Sequence, residues 1–345
     1  MTIADLPSPY LLFMGDIAEP GFAKTAYGLH QWVPDRCVGE LAFPGSVLTT
    51  GLPRLSAAEG KARGARAVVI GVAHPGGALA ENWIAPLVAA MEAGLDIVSG
   101  MHGRLADTPA LAEAAGRTGR QLHDVRVPPA GLTVGTGAKR SGKRLLTVGT
   151  DCALGKKYTA LTIANALKAR GIPADFRATG QTGILIAGSG IPMDAVVSDF
   201  LAGAAERLSP PAPADHWDIV EGQGSLFHPS YAAVTLGLLH GSQPDVILLC
   251  HQPGRTSILG RPDYPIPALD AAIETYLAAG RLTNPGIRCG GISLNTAGLD
   301  EAAAAAEIAR TEDRYGLPTA DPLRGGPALE RLVDYCLGVT VAAAA

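Results

Sequence analysis

Val148-Gly149-Thr150-Asp151-Cys152-Ala153-Leu154-Gly155-Lys156-Lys157 decides the fold. Before the turn runs Leu145-Leu146-Thr147-Val148, an apolar stretch with the length and composition of a buried strand. After it, between Tyr158 and Ala169, Leu161, Ala164 and Leu167 share one helical face. A glycine-containing turn between strand and helix, closing on Gly-Lys, is the context of a phosphate-binding loop. Gly155 lets backbone N–H groups turn inward, the helix start offers unpaired donors and a positive dipole end, and Lys156 adds a point charge. Gly149, Thr150, Asp151, Cys152, Gly155, Lys156, Lys157 and Tyr158 are therefore expected to hold a phosphate or pyrophosphate.

One position departs from the nucleotide-hydrolysing pattern. The hydroxyl residue that follows the lysine and ligates Mg²⁺ is replaced by Lys157, and the hydroxyl of Thr159 comes two residues too late. A second cation in place of a metal ligand suits an anion bound without a metal, so no metal site is expected. The five cysteines, Cys37, Cys152, Cys250, Cys289 and Cys336, are scattered, odd in number and never a close metal-binding pair. They read as reduced thiols of a cytoplasmic protein.

Working outward, short apolar runs alternate with helical patterns, the signature of βαβ units and a parallel sheet. In the first part strands are expected at Tyr10–Met14, Val38–Leu41, Ala67–Val72, Asp96–Ser99 and Leu122–Val125, with helices at Asn82–Ala93 and Pro109–Gly119. This is a small Rossmann-like α/β domain over residues 1–126. From Val127 to Lys143 the periodicity lapses into Pro128-Pro129 and repeated glycines, a linker signal. Residues 144–345 then form the P-loop domain, a doubly wound parallel sheet. Its further strands are expected at Asp175–Ala178, Asp218–Glu221, Val246–Cys250, Gly291–Asn295 and near Pro318, with an alanine-rich helix at Asp300–Tyr315.

Composition narrows the function classes. A chain of 345 residues favours two domains, and 47% hydrophobic with 17% charged residues describes a globular protein with real cores. A net charge of -4 with 5% aromatic residues points away from nucleic acid and from anionic membrane. The start, Met1 to Pro9, lacks the basic and apolar regions of a signal peptide, and Gly, Pro or a charge interrupts every apolar run before membrane-spanning length. Partners are expected to be small molecules and, by default, further copies of the same chain.

In a doubly wound sheet the loops after the strands gather at one edge. Here they are Thr179 to Gly183, Glu221 to Ser225, His251 to Arg255, Asn295 to Gly298 and Asp321 to Arg324. Glu221 closes an apolar strand where its carboxylate would meet the phosphate end of a ligand, which makes it the general-base candidate; a bracing acid is the plainer role. Gln181, Thr182, Gln223 and Ser225 are neutral donors suited to a carbonyl or carboxylate, and Arg255 could fork a substrate carboxylate. In the first domain His74, His102 and Arg104 follow expected strands and would face the cleft between domains. A lone histidine is more often structural, and His228, Ser230 and His240 form no nucleophile triad.

Gly149 to Lys156 together with Val220-Glu221-Gly222-Gln223-Gly224-Ser225 is similar to the nucleotide and acidic loops of dethiobiotin synthetase-like P-loop proteins. The whole chain, through Gly149–Lys157, Ala178–Gly183, Val220–Ser225 and Cys250–Arg255, resembles a P-loop family that includes D-glutamate N-acetyltransferase. That resemblance implies a Rossmann-like domain joined to a P-loop domain, and acetyl transfer from acetyl-CoA to the amine of D-glutamate, a reaction of D-amino-acid metabolism. Lys156, Lys157 and the loop amides would then hold CoA phosphates, and Glu221 or a histidine such as His102 would take the ammonium proton. Three other readings stand beside it: an ATP-dependent ligase or kinase, against which Lys157 counts; a nucleotide- or CoA-sensing regulator without turnover; and an NAD(P)-dependent enzyme. The last lacks a dinucleotide fingerprint, since Gly15-Asp16-Ile17-Ala18-Glu19-Pro20 follows the first strand.

Overall fold

The computed structural model describes residues 6–73 and 79–338. They form two compact units, one of the described residues up to Ala130 together with Gly180–Ala195, the other of Gly131–Thr179 with the described residues from Val196 onward.

The first unit is built on five strands, β1 (Tyr10–Gly15), β2 (Cys37–Ala42), β3 (Ala67–Ile70), β4 (Asp96–Ser99) and β5 (Leu122–Asp124). All pairings are parallel, in the order β2-β1-β3-β4-β5, the Rossmann-like winding that the strand–helix alternation predicts. β1 is buried along its whole length, and the helix Glu81–Glu92 turns Trp83, Leu87, Ala90 and Met91 inward, at the spacing of one helical face. Trp83 keeps its indole N–H satisfied by donating to Asp16 Oδ1 at 2.7 Å.

The linear boundary expected at residue 144 assigns residues 180–195 to the second domain, whereas they group with the first unit. Thr179 to Gly183 was expected as a loop; Gln181 instead opens a helix, Gln181–Ala187, in which Ile184 and Leu185 are fully buried. Thr182 Oγ1 lies 3.0 Å from Thr25 Oγ1, Arg36 donates to the Ile186 carbonyl at 3.4 Å, and Arg126 pairs with Asp194. An apolar seven-residue helix has no solvent-facing side of its own, so it takes cover on the helix Lys24–Trp32.

The second unit carries β6 (Lys143–Gly149), β7 (Ala174–Arg177), β8 (Trp217–Val220), β9 (Val246–His251), an antiparallel hairpin of β10 (Ser257–Ile258) and β11 (Arg261–Pro265), β12 (Arg288–Leu294) and β13 (Thr319–Ala320). Its main sheet is parallel throughout, ordered β13-β12-β9-β6-β8-β7. Six of the seven residues of β6 and five of the six of β9 are buried, as in strands covered on both faces. The chain leaves β6 for β7 and β8 on one side and for β9, β12 and β13 on the other, so the winding reverses at β6. The Gly/Pro-rich segment before β6 is anchored: the Glu206 carboxylate accepts the N–H groups of Thr136 and Gly137 at 2.9 Å, and Gln243 Nε2 donates to the Gly137 carbonyl. No helix among the described residues is long and apolar enough to cross a membrane.

β6 is tied down at its start by Arg144, which is 1% exposed. Its guanidinium donates to Ser209 Oγ at 2.7 Å and to the carbonyls of Arg140, Ser141 and Pro210, each at 3.1 Å, while Ser209 donates to Asp218 at 2.6 Å. Removing one member of such a buried ionic network strands the others. Arg144→Met should therefore lower the stability of the second unit by about 3 kcal/mol in urea unfolding. A midpoint equal to the wild type would show that the network contributes nothing.

Candidate functional site

The carboxyl ends of β8, β6 and β9 lie side by side, and each delivers a polar group to the same edge. From β6 comes the loop Gly149–Gly155, leading into the helix Lys156–Ala169. Two residues of the loop have positive φ, Ala153 at 53° and Gly155 at 101°. At Gly155, the residue capping the helix, only glycine adopts that conformation without strain, and Ala153 holds a left-handed turn at the loop tip. Among the described residues the backbone N–H groups of Ala153, Leu154, Gly155 and Lys156 have no hydrogen-bond partner. Two belong to the loop and two to the open start of the helix, and together they form a concavity of donors suited to an anion.

Lys156 is 7% exposed, and its ammonium donates to the Asp151 carbonyl at 2.7 Å. Burial pushes its pKa below the usual lysine value. A bound anion would restore the counter-charge that burial removes. Lys157 lies with its ammonium 4.4 Å from the centre of the Tyr158 ring. Burial first, and the charge of Glu221 second, raise the Tyr158 pKa, which keeps it a phenol. Thr159 lies in the core, its Oγ1 2.8 Å from Ser293 Oγ, so its hydroxyl serves the packing of helix on sheet.

Asp151 is fully buried, and its side chain shapes the loop. Its carboxylate accepts from Cys152 N at 2.6 Å, Arg255 at 2.8 Å and Leu259 N at 2.7 Å. Arg255 also donates to the Cys152 carbonyl at 2.9 Å and to Gln252 at 2.6 Å. The guanidinium nominated for a substrate carboxylate thus holds the phosphate loop instead. Ser225, nominated as a donor to substrate, has a similar part: its hydroxyl donates to the Gly149 carbonyl at 2.8 Å and accepts from Phe227 N at 3.2 Å.

Glu221 sits at the end of β8, 3% exposed. Its carboxylate accepts the Thr179 N–H at 2.8 Å, and its carbonyl accepts the Thr179 hydroxyl at 2.7 Å. Gln223, half-buried, donates to the same hydroxyl at 3.1 Å. Between them Gly222 brings β8 onto β6: its N–H donates to Thr147 Oγ1 at 3.0 Å, and a Cβ there would fall 1.7 Å from the Thr147 carbonyl oxygen. Only glycine permits that approach.

Among the described residues, two groups of acidic and metal-ligating side chains come close enough to share an ion, Asp151 with Cys152 and His228, and Asp175 with His216 and Asp218. In each an arginine already supplies the positive charge, Arg255 on Asp151 and Arg177 on both Asp175 and Asp218. His228 Nδ1 accepts the Ser230 N–H at 3.1 Å, and His240 bonds the Ala279 carbonyl at 3.1 Å, so each has a structural place. In the first unit Gln181 and Thr182 lie on the helix described above. His102 and Arg104 are exposed on the turn after β4, and His74 lies outside the described residues.

Tyr276 is a site residue that the sequence pattern does not single out. It is buried within the helix Leu269–Arg281, donates to the Gly149 carbonyl at 2.8 Å and accepts the Leu226 N–H at 3.1 Å. Burial pushes its pKa up to about 12. A tyrosine on the apolar side of an amphipathic helix reads as core, and only the fold brings its hydroxyl to the loop. His251, at the end of β9, was likewise not singled out; its Nδ1 lies 3.0 Å from Thr150 Oγ1.

Comparison with known proteins places this architecture. Residues 133–333 match the P-loop domain of DUF1611, described as a domain of unknown function, and residues 42–128 match the Rossmann-like domain that carries the same designation. A crystal structure of a DUF1611 family protein from Anabaena variabilis is similar at 34% identity with a TM-score of 0.84, over 95% of this chain and 99% of that one. A protein of Tritonibacter scottomollicae named D-glutamate N-acetyltransferase is 49% identical over 97% of this chain and all of its own length. One of a Pseudoalteromonas species with the same name is 46% identical over 92% of this chain and 96% of its own length.

The clamp on the Gly149 carbonyl can be tested directly. Tyr276→Phe keeps the ring but leaves the Leu226 N–H unpaired, and should cost about 1–2 kcal/mol of stability in urea unfolding. A Phe variant as stable as the wild type would show that the hydroxyl does not secure the loop.

Proposed function

This chain belongs to the DUF1611 family, and on that premise we propose that it transfers the acetyl group of acetyl-CoA to the amino group of D-glutamate. The observation that carries the proposal is the 49% identity, over 97% of this chain and the full length of the relative, to a protein named D-glutamate N-acetyltransferase. The site fits the chemistry. CoA presents a diphosphate and a 3′-phosphate and needs no metal to bind. The loop offers unpaired N–H groups and Lys156, with Lys157 at the position of the metal-ligating hydroxyl and Thr159 buried against Ser293.

The ammonium of D-glutamate must lose a proton before its nitrogen can attack the thioester carbonyl. Glu221 is proposed as the acceptor of that proton; one of its oxygens is held by the Thr179 N–H. The amine then adds to the carbonyl carbon, the C–S bond breaks, and the CoA thiolate leaves and takes up a proton. Gln223, half-buried beside Glu221, is proposed to orient the acceptor. The five cysteines are free thiols, in keeping with a cytoplasmic enzyme, and a symmetric homo-oligomer is the proposed assembly.

Release of CoA thiol is the direct assay. With acetyl-CoA the wild type should turn over D-glutamate and leave L-glutamate largely untouched, with no dependence on Mg²⁺ or ATP. Glu221→Gln should lower kcat by about 10²-fold with CoA affinity retained, and Lys156→Ala should act mainly on KM for acetyl-CoA. Full kcat in Glu221→Gln with loss in His102→Ala would transfer the base role to the histidine. Tight metal-dependent ATP binding without thiol release would sink the transferase.

A further inference from the structure

A groove of about 420 Å³ opens in the second unit, lined in part by residues that contact the phosphate loop. Its lining combines apolar Ile266 and Leu269 with Arg310 and Arg314, one turn apart on the helix Glu301–Tyr315, and with His251 and Arg255. The last two connect it to the loop: His251 contacts the Thr150 hydroxyl, and Arg255 donates to the Cys152 carbonyl.

The charges are unequally committed. Arg255 is used by Asp151, and Arg310 pairs with Glu307 on the same helix. Burial holds the His251 pKa below its ordinary value, so its ring is neutral near pH 7. Arg314 is exposed and, among the described residues, has no carboxylate within ion-pair distance; it lies 5.2 Å from the Tyr315 ring. The groove therefore offers one guanidinium without a carboxylate partner, a second that is solvent-exposed and shared with the largely buried Glu307 carboxylate, and an apolar surface.

If the loop holds the diphosphate of CoA, two groups adjoin it. The pantetheine arm is uncharged and amide-rich. The adenosine carries an aromatic base and a 3′-phosphate with nearly two negative charges. An apolar surface beside a free guanidinium matches the second group and not the first, because a guanidinium binds a phosphate by paired, charge-assisted hydrogen bonds. We infer that this groove is the 3′-phosphoadenosine subsite of the acetyl donor, with Arg314 the residue that distinguishes CoA from its 3′-dephospho form. The inference rests on the proposed use of acetyl-CoA and adds to it the basis of donor specificity.

Calorimetric titration of the full chain with CoA and with 3′-dephospho-CoA separates the two. The wild type should bind CoA about tenfold more tightly, the discrimination expected of one charge-assisted pair at an accessible site. Arg314→Ala, on the helix surface, should bring CoA down to the level of dephospho-CoA and leave the affinity for dephospho-CoA unchanged. Arg310→Ala should act in the same direction with smaller effect. Equal wild-type affinities, or equal weakening of both ligands in Arg314→Ala, would overturn the subsite while leaving the donor itself in place. So would a rise in KM for D-glutamate alone, which would hand the groove to the acceptor. A wild type that binds neither form refutes the donor proposal instead.

Discussion

The carboxylate of Asp151 is buried completely, and a buried charge is tolerated only when it is paired and hydrogen-bonded. Both of its oxygens are engaged. The Cys152 N–H, the Arg255 guanidinium and the Leu259 N–H converge on it, joining the phosphate loop to the chain that leaves β9. Arg255 returns a further bond to the Cys152 carbonyl, so one ion pair fixes both the side chain and the backbone of the loop. The Gly149 carbonyl, at the other end, is held by Ser225 and Tyr276. With its flanks fixed in this way, the segment Ala153–Lys156 can leave its N–H groups unpaired without collapsing onto other partners. A loop free to move would satisfy those donors itself and lose its affinity for anions.

That division explains what was legible in the sequence. The strand Leu145–Val148, the Gly-Lys turn and the amphipathic helix specify the loop through local chemistry, and the βαβ alternation specifies both parallel sheets. Local chemistry did not reveal which polar residues face a ligand and which face the loop. Ser225 and Arg255 belong to polar, glycine-rich segments of the same edge as Glu221, and composition treats all three alike. Only the third dimension shows that two of them are bound to loop backbone. The helix Gln181–Ala187 was lost for a related reason. Gly180 and Gly183 signal a turn, and the apolar run Ile184–Ile186 is too short to show a period, so the packing that makes it helical is invisible from within it. The segment before β6 reads as a flexible linker by composition, yet Glu206, about seventy residues on, pins its amides.

The two lysines after Gly155 divide the electrostatic work. Lys156 is buried, and its pKa is depressed because the interior penalises an ammonium whose nearest partner is a neutral carbonyl. Lys157 is half-buried against Tyr158, where water still screens its charge. In a loop that grips a metal-bound nucleotide, the divalent ion neutralises much of the phosphate, and the protein contributes a hydroxyl to hold the ion. This loop has no hydroxyl at that position. It has a second cation, a row of unpaired amides and a lysine whose charge burial disfavours. An anion bound there would offset that cost, so on the proposed function ligand binding and loop stability would be linked. Such a site favours a phosphate that arrives without a counter-ion and is bound, not cleaved. That is what the proposed donor would require, its diphosphate serving as the handle of a carrier whose reactive group lies elsewhere.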